Sequence, residues 1–281
     1  MPTRPPGAFI APHLHPAALF RNATLTHASI EDWKKSARIQ REGRTIVPPP
    51  LEPWQWLPKL YHVERYFGEM GDSDPGPWAN DFEATLDYHP VCNGFWSCHD
   101  TLNRRGICIP KLQQGGGEYW THSEWDVVFR LQREFYENPK LGKVGQNYVG
   151  YDCGYPPFHT QSLIWLAWKI RVVGIVGDTL AAHHVLYAEL KHSLSFQAST
   201  CTDMSPFKQE VHQAYQSDLS AEELEALGGR LDEEDEDFDE DRGASFYARI
   251  LDRPDKQTRV YNLDDCFSTA IIWPKLERAM A

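Results

Sequence analysis

The sequence predicts a mainly α-helical protein: an irregular helical domain with long loops rich in Pro, Gly and aromatic residues, and a small β-hairpin insert. Two capping boxes, Thr121 to Glu124 and Ser220 to Glu223, each begin a stretch that suits a helix. The run from Leu163 to Val176 has apolar residues in almost every direction of a helix, which indicates a buried central helix. Breakers rich in Pro and Gly separate these segments, so the connections between them are expected to be long.

Size and composition limit the class of protein. The chain has 281 residues, of which 41% are hydrophobic, and it can bury a sizeable core within one domain. Its 10 Trp, 12 Tyr and 13 Phe suit a heavy core or an extensive interface. The start of the chain lacks the apolar region of a signal peptide, so we expect a cytoplasmic or other intracellular protein that is not secreted. The longest apolar run is too short to span a bilayer, and no membrane association is expected.

The N-terminal part of the chain is expected to contain an arm and three helices. Residues 1–28 hold five Pro and three His without a sustained periodicity, which indicates an extended arm. A helical core domain is expected over 29–230, and its first helix is capped by Ser29 and stops near Gly43. Two further helices are predicted over 53–69 and 78–88.

The segment 90–117 changes character and then gives way to the strongest helix signal. The turn pairs Asn93-Gly94 and Arg105-Gly106 predict an irregular or β-hairpin insert. A helix starts at the Thr121 capping box, and residues 142–157 form a long loop. A pair of helices follows over 161–176 and 179 to about 195, and Asp178 caps the second of them.

An acidic run dominates the charge of the chain. Asp232 to Asp241 places nine carboxylates in ten residues, which accounts for most of the formal net charge of −12. Such a block repels itself, so residues 231–243 are predicted to be a disordered acidic loop. A C-terminal helical segment, 244–281, is expected to pack on the core. The acidic balance makes nucleic acid an unlikely partner.

The central helices supply candidates for a small-molecule site. His183 lies on the apolar face of its helix beside Tyr187, where a buried imidazole could act as an acid or base. Lys169 and Arg171 interrupt an apolar run and could anchor an anionic ligand together with Tyr187. The alternatives are a core histidine with one hydrogen bond, and structural salt bridges or solvated stems for the two cations.

Cysteines and a histidine in the insert give a candidate metal site. Cys92, Cys98, His99 and Cys108 could hold zinc tetrahedrally, and zinc is the one cofactor that the sequence suggests. Their spacing differs from the short Cys-x-x-Cys knuckle, so reduced cysteines that serve as small apolar residues are the alternative.

The function expected from the sequence is that of a non-enzymatic structural or assembly subunit, which binds a protein partner or further copies of itself. This expectation depends on the Pro-rich arm, the many Trp residues and the absence of nucleotide-binding and hydrolase motifs. Two alternatives stay open. One is an enzyme that acts on a small anionic molecule in a helical pocket, with His183 as acid or base, and the other is a zinc-stabilised module.

Overall fold

The computed structural model describes residues 25–42, 49–71, 76–85, 87–99, 101–103, 106–154, 158–202, 250–252 and 254–281. A mixed five-stranded sheet between helices organises these residues, so the prediction of a mainly α protein is wrong and the fold is α/β. Most of the expected arm, the capping box at Ser220 and the acidic loop at 231–243 lie outside the described residues. Within the described ranges, no helix is long and apolar enough to cross a membrane.

We number the helices and strands of the described residues in chain order. The first half contains α1 (Leu25–Glu42), α2 (Pro53–Trp56), α3 (Leu60–Glu69), β1 (Trp78–Ala84), β2 (Pro90–Ser97), β3 (Ile107–Pro110) and α4 (His122–Glu137). The second half contains β4 (Lys143–Gly145), α5 (Leu163–Trp168), β5 (Ile175–Asp178), α6 (Thr179–Leu186), α7 (Leu194–Cys201) and α8 (Asp255–Met280). Short 3-10 turns occur at Gln114–Gly116, Phe158–Gln161 and Ile250–Asp252, and one π-helical turn occurs at Tyr148–Asp152.

The strands lie in the order β3-β2-β1-β4-β5. The first three form an antiparallel meander, β4 runs parallel to β1, and β5 runs parallel to β4. The hairpin predicted at 90–117 is therefore present as β2 and β3, but it belongs to the main sheet and is not a separate insert. The pair Asn93-Gly94, predicted as a turn, lies inside β2 and is wrong as a turn.

Three strands occupy segments that the sequence pattern predicted to be helix or loop. β1 lies within the helix predicted over 78–88, and β4 lies within the loop predicted over 142–157. In the helix predicted over 161–176, the α-helix covers only Leu163–Trp168, and β5 begins at Ile175. The physical reason is burial on both faces: all eight residues of β2 and six of the seven residues of β1 are buried, which removes the alternation that identifies a strand. β4 and β5 have three and four residues and are too short to show any period.

The two faces of the sheet carry separate cores. Trp78 and Phe82 of β1 point toward α4, where they join a cluster with Phe135. Ala79, on the opposite face, joins a cluster with Phe267 of α8. This division follows from the alternation of side chains along a strand.

α8 is a continuous helix of 26 residues that packs directly on the sheet. The helix continues through Pro274, although a proline inside a helix usually breaks or kinks it. Two glycines permit the close approach. A Cβ at Gly94 would lie 2.4 Å from Asn262 Oδ1, and a Cβ at Gly177 would lie 2.0 Å from the Trp273 ring. Only a residue without a side chain fits at these two positions.

Candidate metal centre

Three carboxylates meet between β1 and α8. Asp81 and Glu83 lie two residues apart on β1, so both side chains point to the α8 face, where Asp265 meets them. One oxygen atom of each residue can be chosen so that all three lie within 4.8 Å of one another. Glu83 is 2% exposed and Asp265 is 6% exposed, whereas Asp81 is half-buried. The cluster therefore lies at the edge of the core and has one member open to solvent.

An amide side chain of α8 lies against this cluster. Asn262, which is fully buried, donates from Nδ2 to Asp81 Oδ2 at 2.8 Å and to the Asp81 carbonyl oxygen at 3.0 Å. Its Oδ1 is buried and has no hydrogen-bond partner. The amide is thus a hydrogen-bond donor to Asp81, and its Oδ1 faces Gly94.

The ionisable groups around the cluster report a concentrated negative charge. Burial raises the pKa of Tyr261 well above its usual value, and the charges of Asp265, Glu83 and Asp81 raise it further. Burial, followed by the charge of Asp265, raises the pKa of Asp264 to about 7. Burial and the charge of Asp81 also raise the pKa of Asp152, in the π-helical turn, well above the usual value of a carboxyl. The negative field therefore extends from α8 to the turn beside β1.

The donor set suits a hard divalent cation. Carboxylate and amide oxygens are the ligands that Mg²⁺, Mn²⁺ and Ca²⁺ prefer, and thiolate or imidazole donors are absent from this trio. Opposite points on a sphere of radius about 2.4 Å, a usual Ca–O distance, lie roughly 4.8 Å apart. Separations within 4.8 Å are therefore compatible with one shared ion of that size. A Mg²⁺ ion, with Mg–O distances of about 2.1 Å, holds its oxygens at most roughly 4.2 Å apart and so needs a tighter set of ligands.

The structure places the predicted acid or base, His183, in a chain of histidines. His183 is 1% exposed on α6, and its Nδ1 lies 2.8 Å from His192 Nδ1. The other ring nitrogen of His192, Nε2, lies 2.9 Å from Nδ1 of the exposed His184. Tyr187 ends α6, and its ring centroid is 5.0 Å from that of His183.

The predicted anion anchors stand apart from α6 in the chain. α5 ends at Trp168, and Lys169 follows with a φ of +57°, which terminates the helix. Lys169 and Arg171 are both exposed, and Lys169 Nζ donates to the carbonyl oxygen of Leu166 at 3.3 Å. Their exposure agrees with the alternative that both are solvated side chains. An anion site at Lys169, Arg171 and Tyr187 stays a prediction.

The predicted zinc ligands divide between the core and the surface. Cys92, Cys98 and Cys108 are buried on the α8 side of the sheet, whereas His99 is exposed. Burial and the neighbouring Cys108 raise the pKa of Cys92 well above its usual value, which favours a thiol over the thiolate that zinc requires. A zinc site at these four residues stays a prediction.

Sequence reasoning missed Asp81, Glu83 and Asp265 because it assigned 78–88 to a helix. On a helix, residues two apart point in nearly opposite directions, whereas on a strand they share one face. The Asp-x-Glu spacing, with the apolar Phe82 between the two acids, was the available signal. No protein-family model matches this chain, and no curated protein is similar to it in sequence, so the site is interpreted from its own geometry.

Proposed function

We propose that this protein binds one divalent cation, Mg²⁺, Mn²⁺ or Ca²⁺, through Asp81, Glu83 and Asp265. The observation that carries the proposal is the convergence of three carboxylate oxygens within 4.8 Å at a largely buried position. The Asn262 amide, which donates to the Asp81 carboxylate, helps to hold this ligand in place. A cation there would join β1 to α8, two elements that are 181 positions apart at the Asp81–Asn262 contact.

The proposed cation keeps open coordination positions. Three protein oxygens, one from each carboxylate, leave three positions of a six-coordinate ion for water or an anionic ligand. The half-buried Asp81 provides the access from solvent. A water molecule bound to such an ion is more acidic than bulk water, which is the property that metal-dependent hydrolysis uses. The site thus supplies a Lewis acid together with a place for a carboxylate or phosphate oxygen.

Thermal unfolding of the full chain with and without each cation tests this function. At about 100 times the Kd, a cation that binds only the folded state adds about 2.7 kcal/mol, or roughly 5–10 °C in Tm. The substitution Glu83→Gln keeps the size of the side chain but removes one charged ligand, so we expect it to abolish most of that shift. Asp265→Asn should do the same.

Two matched controls separate this site from other acidic residues. Glu134→Gln removes an exposed carboxylate of α4 that pairs with Arg130, and it should leave the shift unchanged. A variant in which the nine carboxylates of 232–241 are replaced by Asn and Gln lacks the acidic run, and it should also keep the cation-induced shift in Tm. A shift that survives Glu83→Gln and Asp265→Asn, or one that disappears with the acidic run, would exclude the proposed site.

An interaction subunit is the second candidate function, and a feature of α1 favours it. Ile30 and Trp33, one turn apart, are 47% and 57% exposed. Large apolar side chains that are exposed side by side are typical of contact surfaces. We predict that native mass spectrometry of the full chain finds a discrete oligomer, and that Ile30→Ser with Trp33→Ser lowers its mass. An unchanged mass in the double variant would argue against α1 as the contact.

A further inference from the structure

Three imidazole rings, which we call the histidine chain, lie in sequence from the interior to the surface. His183 is buried, His192 is half-buried and His184 is exposed. The two nitrogen–nitrogen distances, 2.8 Å and 2.9 Å, are those of hydrogen bonds. His192 uses one ring nitrogen for each neighbour, so the three rings cannot all bind one metal ion without turning the central ring.

The backbone holds the central ring of the histidine chain in place. The carbonyl oxygen of His192 accepts hydrogen bonds from Gln146 Nε2 at 2.8 Å and from Gln197 Nε2 at 2.7 Å. The next residue, Ser193, caps α7 through the amide of Phe196. The connection 187–193 between α6 and α7 is therefore fixed at its C-terminal end by these contacts, and the two ring contacts tie it back to α6.

The number of protons that the histidine chain can hold follows from its two nitrogen–nitrogen contacts. Each nitrogen–nitrogen contact needs one proton, since two N–H groups would repel and two lone pairs would not bond. The two outer nitrogens, His183 Nε2 and His184 Nε2, hold one proton each at most. The three rings can thus carry four protons with both contacts intact. Three neutral imidazoles carry three protons, so the intact chain accepts one additional proton.

We propose that the histidine chain is an acid-operated latch, which takes up one proton while closed and opens the α6–α7 connection when it takes up a second. The first added proton can be shared along the chain, because a central imidazolium donates to both neighbours. A second forces two N–H groups together at one of the contacts and breaks it. The connection 187–193 then loses its tie to α6.

Other ionisable groups around the histidine chain modify this behaviour. Within the connection, Glu189 and Lys191 are both exposed, and the negative charge of Glu189 favours protonation. Asp178 lies at the other end of α6, and Lys275 of α8 donates to the carbonyl oxygen of Cys201 in α7. α7 itself contributes no Asp, Glu, Lys, Arg or His. Burial lowers the pKa of His192, as does the charge of His184 to a smaller extent.

The direction of the pH effect follows from that lowered pKa. The unfolded chain binds a proton at His192 with a pKa near 6.5, whereas the folded chain binds it only at lower pH. Stability from this group is therefore complete above pH 6.5 and declines as the pH falls toward the pKa of the folded state.

A titration of the imidazole rings by nuclear magnetic resonance tests the latch in the full chain. Between pH 8 and pH 5, the histidine chain should take up one proton first, and the second should coincide with lost protection of the Leu190 backbone amide, which donates to the Tyr187 carbonyl oxygen within the connection. His184→Gln is the informative variant because position 184 is exposed and the fold should tolerate it. The remaining pair still holds one contact, so it should again accept one proton before opening, although one ring is gone.

The exposed His99 and His122 serve as internal references in the same spectra. Three histidines that titrate independently in the wild type, without loss of amide protection, would overturn the latch. So would one equivalent of Zn²⁺ that displaces protons from all three rings, because the cluster would then be a metal site. A His184→Gln chain that takes up two protons while its amide protection is retained would likewise show that the rings are not coupled.

Discussion

Replacing Asp178 by alanine is expected to destabilise the protein by about 3–5 kcal/mol. The Asp178 carboxylate accepts four backbone N–H groups: those of Leu180 and Ala181 in the first turn of α6, and those of Asn147 and Val149 beside β4. Loss of the cap costs about 1 kcal/mol, and each buried donor left without an acceptor costs about 1–3 kcal/mol. Urea unfolding followed by circular dichroism measures the difference.

A graded series checks the origin of this effect. Asp178→Asn keeps one oxygen, which can still serve the three donors now bonded to Oδ1, and loses the bond from Val149 to Oδ2. We therefore expect it to lose roughly half as much as the alanine variant. If alanine and asparagine cost the same, or if alanine costs less than about 1 kcal/mol, the carboxylate does not organise this corner of the fold.

The second large effect concerns a buried lysine, and here the substitution is expected to stabilise the protein. Lys143 of β4 has no exposed surface, and burial lowers its pKa to about 7 from 10.5. Its Nζ donates to the carbonyl oxygen of Asn138 at 2.6 Å, at the C-terminal end of α4, and lies 4.8 Å from the centre of the Phe135 ring. We expect Lys143→Met to raise stability at pH 7 by about 3 kcal/mol, since the desolvation cost exceeds what the hydrogen bond returns.

The pH dependence of the gain distinguishes it from better packing. Between pH 7 and pH 10.5 the unfolded chain holds a proton on Lys143 that the folded chain releases. Wild-type stability therefore rises with pH across this window, and the penalty is fully present below pH 7. The advantage of Lys143→Met should shrink toward zero near pH 10.5. Lys140→Met, at an exposed position in the same turn, is the control and should show no such slope. An advantage that is constant with pH would contradict the assigned cause.

Local signals in the sequence predicted two helix starts correctly, whereas the predicted cap Ser29 lies inside α1, which begins at Leu25. Thr121 and Glu124 form the capping box that their spacing indicated, and Asp178 caps α6 as predicted. Both predictions depend on residues within one helical turn, so the sequence contains all the information they need. The burial of His183 was also predicted correctly from its place on an apolar face.

The sheet and the carboxylate cluster depend on contacts that no local pattern reports. β2 is buried at every position, so its sequence lacks the alternation of apolar and polar residues that identifies a strand. Asp265, the partner of Asp81 and Glu83, lies on α8, far along the chain. His192 shows the same limit. It lies in the helix predicted over 179 to about 195, but α6 ends at Leu186 and the connection turns the ring of His192 back toward His183.

The most direct test of the central proposal is the binding of Mn²⁺, measured by electron paramagnetic resonance as the loss of the free-ion signal. The chain in which the nine carboxylates of 232–241 are replaced by Asn and Gln should bind one equivalent of Mn²⁺, because it retains the cluster of Asp81, Glu83 and Asp265. The same chain with Glu83→Gln should leave the ion free, and with Glu134→Gln it should bind as before. Equal binding by the Glu83→Gln and Glu134→Gln chains, or no binding by any of them, would contradict a cation site between β1 and α8.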